Sequence, residues 1–104
     1  MIQITLQYFD GCPNWQTTDR HLATFIAEGL DAVVGYERID GYEATIEKGF
    51  RGSPTVLING VDPFPEGQAQ PGLACRIYNT EHGQAGSPTL KQLRTAIATA
   101  EAGS

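Results

Sequence analysis

The chain has 104 residues, 40% of them apolar and 18% charged, which supplies the core of one domain and excludes a disordered tail, a coiled coil and a second domain. Seven basic and twelve acidic side chains give a net charge of -5 without any Lys or Arg cluster, so nucleic acid is not an expected partner. No apolar run approaches the ~20 residues of a membrane helix, so no membrane is expected either. Arg20 is the first basic residue, and the amino terminus alternates polar with apolar where a secretory leader has a charged start and an apolar block. The expected location is therefore the cytoplasm. The acids Glu28, Asp31, Glu37, Asp40, Glu43 and Glu47 read as a solvated face.

Ile2, Ile4, Leu6 and Tyr8 alternate with Gln3, Thr5 and Gln7, a period of two that predicts a strand with one face in the core. Asp10-Gly11 ends it. Cys12-Pro13-Asn14-Trp15 then opens a helix, because Pro suits the first helical position and Trp15, Leu22, Phe25 and Ile26 recur at helical spacing. Gly29 stops this helix. Residues 32–39 predict a second strand, parallel to the first through a right-handed helical crossover. Asp40 and Glu43 have the spacing of a capping box before a short helix from Tyr42 to Lys48. The apolar run Thr55–Ile58 reads as a central strand covered on both faces.

Asn59-Gly60 is a turn pair, and residues 61–72, with three prolines, predict a wide loop. A return strand over residues 73–78 is expected to run antiparallel beside Thr55–Ile58. Residues 79–86 read as a connection, after which Ser87 caps and Pro88 begins a last helix with Leu90, Leu93 and Ile97 on one face. The order is β-α-β-α-β-β-α, an α/β domain over residues 1–101 with a frayed tail at 102–104. A four-stranded mixed sheet with helices on both faces is expected.

A strand ending in Gly-Cys-Pro at a helix start, followed downstream by Ser-Pro-Thr entering an apolar strand, resembles the thioredoxin fold over nearly the whole chain. More narrowly, YFDGCPNW, FRGSPTVLINGVDPF, LACRIY and SPTLKQL resemble small thioredoxin-like proteins, some of which carry an alkylmercury-lyase-like label. The resemblance implies that Cys12 begins the first helix and that a cis Ser53-Pro54 bond lies against it.

A cysteine reacts as its thiolate, and an ordinary one, with a pKa of about 8.5, is mostly protonated at neutral pH. Unpartnered amides and the positive dipole end at a helix start favour the Cys12 anion, while Asp10 opposes it. Trp15 stands where a dithiol oxidoreductase has its second cysteine, so Cys12 reads as a monothiol with no local resolving partner. It would form reversible mixed disulfides with a small thiol or a thiol-containing protein. Pro13, Trp15, Ser53, Pro54 and Arg51 are the residues expected to bind substrate beside it. The Ser53 backbone could pair with an extended thiol peptide, and Arg51 could hold a carboxylate or the thiolate.

For each of these groups a purely structural role stands beside the chemical one: a tight link at Pro54, a solvated Arg51, and packing for Trp15 and Tyr8. Cys75 is either a covered small core residue or a second thiol. In the latter case it would make a disulfide with Cys12 or a two-coordinate site for mercury or copper(I). A mid-strand position two strands from the helix start argues against the Cα approach of within ~7 Å that a disulfide needs. His21 reads as exposed and His82 as a loop residue near the site, and neither has zinc-ligand spacing to the cysteines. No cofactor, resident metal, phosphate loop or Ser-His-Asp arrangement is indicated. A third reading is a noncatalytic interaction module, with an exposed Phe64 docking a partner or a second copy as a homodimer.

Overall fold

The computed structural model describes residues 1–64 and 72–103. Its elements are β1 (Ile2–Tyr8), α1 (Trp15–Ala27), β2 (Ala32–Arg38), α2 (Tyr42–Lys48), β3 (Thr55–Ile58), β4 (Tyr78–Thr80), β5 (Gly83–Ala85) and α3 (Leu90–Ala102). Strands β1 and β2 pair in parallel from Ile2 with Ala32 to Tyr8 with Arg38, as the intervening helix requires. On its other side β1 pairs antiparallel with β3, Ile4 opposite Ile58 and Gln7 opposite Thr55.

The sheet order is thus β2-β1-β3, which corrects two expectations. Strand β1 is central and β3 flanks it. The apolar run of β3 reflects how well it is covered: Val56 and Ile58 enter the core, and Thr55 is buried on the other side, donating to the Gly52 carbonyl at 2.7 Å. The expected return strand over residues 73–78 does not pair with β3 at all. Cys75 makes a single parallel bridge to Ser53, ahead of β3, and Tyr78 instead begins a separate hairpin of β4 and β5. The described residues therefore form a three-stranded mixed sheet and a two-stranded one, rather than four strands in one sheet.

The core lies where α1 and α3 cover the even-numbered face of β1. Ile2, Ile4 and Leu6 meet Leu22 and Phe25 of α1, Val56 and Ile58 of β3, and Leu93 and Ile97 of α3. Full burial of each large apolar side chain contributes about 1.5–3 kcal/mol, so this cluster is the main source of stability. On the opposite face Gln7 donates to Glu37 at 2.6 Å and Lys48 of α2 reaches the same carboxylate at 3.1 Å. The Gln7 bond, more than Lys48, holds the Glu37 carboxyl below its ordinary value against the opposing effect of burial.

Helix ends depart from expectation in ways the side chains explain. Gly41, at φ +83°, caps α2 without a side-chain bond, because Asp40 is engaged by Arg38 at 3.1 and 3.2 Å. Thr89, not Ser87, caps α3 through a reciprocal box: the Gln92 amide donates to Thr89 Oγ1 and the Thr89 amide to Gln92 Oε1. The last helix runs through Ala102, one residue into the expected tail. No helix is long and apolar enough to cross a membrane among the described residues.

Candidate functional site

The site grows from two connections and one irregular segment. After β1 the chain turns at residues 9–12, with the Cys12 amide donating to the Phe9 carbonyl at 3.2 Å. Pro13 and Asn14 then lead into α1, which starts at Trp15. Cys12 consequently sits in the approach to the helix and not in its first turn, which removes much of the expected dipole stabilisation. Its surroundings correct the sequence reading further: Cys12 is wholly buried, whereas the monothiol scheme needs it open to water.

Before β3, the Ser53-Pro54 peptide bond is cis and both residues are buried. Facing them runs a strap over residues 72–78. The Gly72 amide donates to the Phe50 carbonyl at 3.2 Å, the Ser53 amide to Ala74 at 2.8 Å, and the Arg76 amide to Ser53 at 2.9 Å. The Tyr78 hydroxyl completes the series by donating to the Pro54 carbonyl at 2.5 Å. Cys75 is thereby placed opposite Ser53, and a disulfide joins it to Cys12 with the Cα atoms 5.6 Å apart. Cys12 Sγ also lies 3.5 Å from the Ser53 carbonyl oxygen, an acceptor for its S–H once the bond is reduced.

Alternation along the strap decides what each side chain does. Arg76 and Tyr78 point inward and are buried, while Leu73, Cys75 and Ile77 are exposed. Of the two readings of Cys75, the covered core residue is excluded and the second thiol stands, the strap lying against Ser53 and so bringing it within reach of Cys12. Arg76 forms an ion pair with Asp62 at 2.9 Å, donates to Thr55 Oγ1 at 3.3 Å and to the Phe64 carbonyl, and lies over the Tyr78 ring at 4.7 Å. Burial pushes the Tyr78 phenol well above its ordinary value, Asp62 adding to the effect and Arg76 opposing it.

Gly52 fits this packing closely. Its φ is +132°, and a Cβ there would stand 2.9 Å from Arg76 Cβ and 3.1 Å from Arg76 Cα. Gly52→Ala is expected to cost about 2–4 kcal/mol in urea unfolding, from backbone strain plus displacement of the strap. A loss under about 0.5 kcal/mol, the level of an ordinary surface change, would show that the strap yields freely.

The structure brings together Cys12, Ser53, Pro54 and Cys75 of the expected site. Pro13 adjoins Cys12 and is exposed, and Arg51 is exposed. Trp15 instead stacks on Tyr8, with centroids 4.4 Å apart, and packs against the core. The Ser53 amide and carbonyl, expected to be open to a peptide, are taken by residues 74 and 76. Phe64, expected to dock a partner, packs on the core and edge-on to Tyr78 at 5.6 Å. Of the loop expected over residues 61–72, positions 65–71 lie outside the described residues. The sequence reading did not single out Arg76, Asp62, Tyr78 or Gly52, because an arginine in the alternating run Ala-Cys-Arg-Ile-Tyr is by default assigned to the outside.

The histidines line a different hollow, of about 550 Å³, whose walls include Pro88 and neither cysteine. His21 is partly buried, and its Nδ1 has no hydrogen-bond partner among the described residues. Burial and, after it, Arg20 lower its pKa, while the Pro88 backbone opposes them. The folded protein thus binds this proton less readily than the unfolded chain. Stability linked to His21 is complete above pH 6.5 and is lost as pH falls through the lower folded value. His21→Gln is expected to flatten the urea midpoint across that window, and an unchanged slope would assign it to other groups.

No family model, curated protein or solved structure matches the chain.

Proposed function

We propose that the protein is a thioredoxin-like thiol–disulfide exchange protein in which Cys12 and Cys75 form one reversible redox pair. The observation that carries this reading is a disulfide joining a buried cysteine to an exposed one beside Ser53-Pro54. The parallel β1-α1-β2 unit and the cis bond facing Cys12 in its β1–α1 connection support the fold assignment. Cys75 supplies the second thiol that the Trp15 position lacks, so the monothiol scheme becomes a dithiol one.

In a reducing cytoplasm, disulfides are typically transient and tied to catalysis or redox sensing, so a bond with one exposed partner there would open and close. Its partners are small thiols or thiol-containing proteins, and the acidic surface gives neither nucleic acid nor membrane a foothold. The test is a titration of the purified chain in glutathione buffers of graded ratio, counting free thiols by mass after alkylation. Two thiols appearing together at a cytoplasmic poise support the reading. A bond that stays closed under every reducing ratio would make it structural and remove the function.

The same proximity favours a second reading, capture of mercury or copper(I) by the reduced pair, because soft two-coordinate ions suit two neighbouring thiolates. Cys75→Ser should then abolish tight mercury binding, and retained affinity would exclude it.

A further inference from the structure

Resting on the redox reading above, the geometry points to a division of labour: we propose that Cys75 is the sulfur that exchanges with substrate, that Cys12 only resolves, and that Leu73 and Ile77 select peptide disulfides with apolar neighbours. Cys12 has no exposed surface, so an external sulfur cannot approach it along the line of an S–S bond. Cys75 is exposed on the strap, two residues from Leu73, 41% exposed, and two from Ile77, 60% exposed. Both are large apolar side chains left in water beside a reactive atom, and covering them would favour an apolar peptide.

The Ser53 amide and carbonyl are occupied by the strap, so a peptide cannot add as a strand at Ser53, and Leu73 and Ile77 are the large apolar side chains offered to it beside Cys75. The net charge of -5 also opposes glutathione, which is anionic.

The Cys75 thiol loses its proton to water, and the thiolate attacks one sulfur of the peptide disulfide. A Cys75–peptide S–S bond forms, the original S–S bond breaks, and the departing thiolate takes up a proton. As the Ser53 carbonyl releases its S–H, Cys12 attacks Cys75 Sγ and expels the second peptide thiolate, to which the Cys12 proton passes. The peptide disulfide gains two electrons and two protons, and the Cys12–Cys75 pair gives them up. An excess of a small dithiol returns the pair to its reduced form.

The experiment mixes reduced protein with two probes, the symmetric disulfide of a Leu-Ala-Cys-Ala-Ile peptide and glutathione disulfide. Cys12→Ser is expected to accumulate a peptide adduct on Cys75, located by peptide mapping. Cys75→Ser is expected to form an adduct on Cys12 at least about 100-fold more slowly, as for a thiol reached only by opening of the fold. Leu73→Ser with Ile77→Thr is expected to lower the ratio of peptide rate to glutathione rate roughly 10-fold, the factor for ~1.4 kcal/mol of lost apolar contact.

Circular dichroism reports whether each variant folds. Should the cysteine variants unfold, limited alkylation of the reduced wild type decides the order instead, with Cys75 expected to label first. Equal labelling, or an adduct on Cys12 as fast as on Cys75, overturns the division of labour while leaving the redox pair intact. An unchanged rate ratio overturns selection by the apolar flanks. Wild-type protein that exchanges with neither probe overturns the redox pair itself, a distinct result.

Discussion

Reducing the Cys12–Cys75 bond is expected to lower folding stability by about 4 kcal/mol, which is the chain-entropy value for closing a loop between cysteines separated by 63 residues. For a chain of this size that corresponds to a fall in Tm of roughly 15–30 °C. The effect belongs mainly to the unfolded state. In the folded state Cys75 is exposed and contributes little burial, and the strap keeps its four hydrogen bonds to residues 50, 53 and 54 without the sulfur bridge. Cys75→Ser should therefore melt where the reduced wild type melts, and its Tm should not respond to a reducing agent. Thermal unfolding with and without reductant checks both points. A drop below about 1 kcal/mol would mean that the unfolded chain already holds the two segments together, which denies the bond its entropic leverage.

Local patterns carried the parts of the fold that local physics determines. The period of two in β1 and the helical recurrence of Leu22 and Phe25 specify a βαβ unit, and the parallel register follows from it. What lay out of reach was pairing between distant segments. The run Thr55–Ile58 signals coverage on both sides, and coverage does not reveal whether the cover is another strand or a strap with a buried arginine. Alternation along residues 73–78 is visible in the sequence, but which side faces inward is set by the Ser53 bridge. An arginine is by default an exterior residue, so local pattern leaves both readings of Cys75 open, a covered core residue or a second thiol, and the inward turn of Arg76 decides between them. At the site, Cys12, Ser53 and Pro54 were legible from the chain itself. Their connection to Cys75 was not, because a disulfide depends on a distance in space that no local period encodes.

Asp62→Ala is expected to cost about 3–5 kcal/mol, the range for breaking a buried ion pair from one side, and to be worse than Arg76→Leu. The two partners are unequally covered: the Arg76 side chain is 2% exposed and that of Asp62 17%. Without the carboxylate, the guanidinium stays charged, keeping the Thr55 hydroxyl, the Phe64 carbonyl and the Tyr78 ring as its contacts. None of these carries a compensating negative charge, and water does not reach the group. Arg76→Leu removes the buried cation instead and leaves Asp62 close enough to solvent to recover hydration. Its cost is the orphaned acceptors, about 1–3 kcal/mol. The double variant should then be more stable than Asp62→Ala alone, a sign that urea unfolding of all four proteins reads directly. Because Arg76 is the neighbour of Cys75, the loosened strap of Asp62→Ala should also slow closure of the disulfide after oxidant is added. An Asp62→Ala variant milder than Arg76→Leu would mean that water enters to solvate the guanidinium. The inward charge would then no longer be what fixes Cys75 on the outer side of the strap.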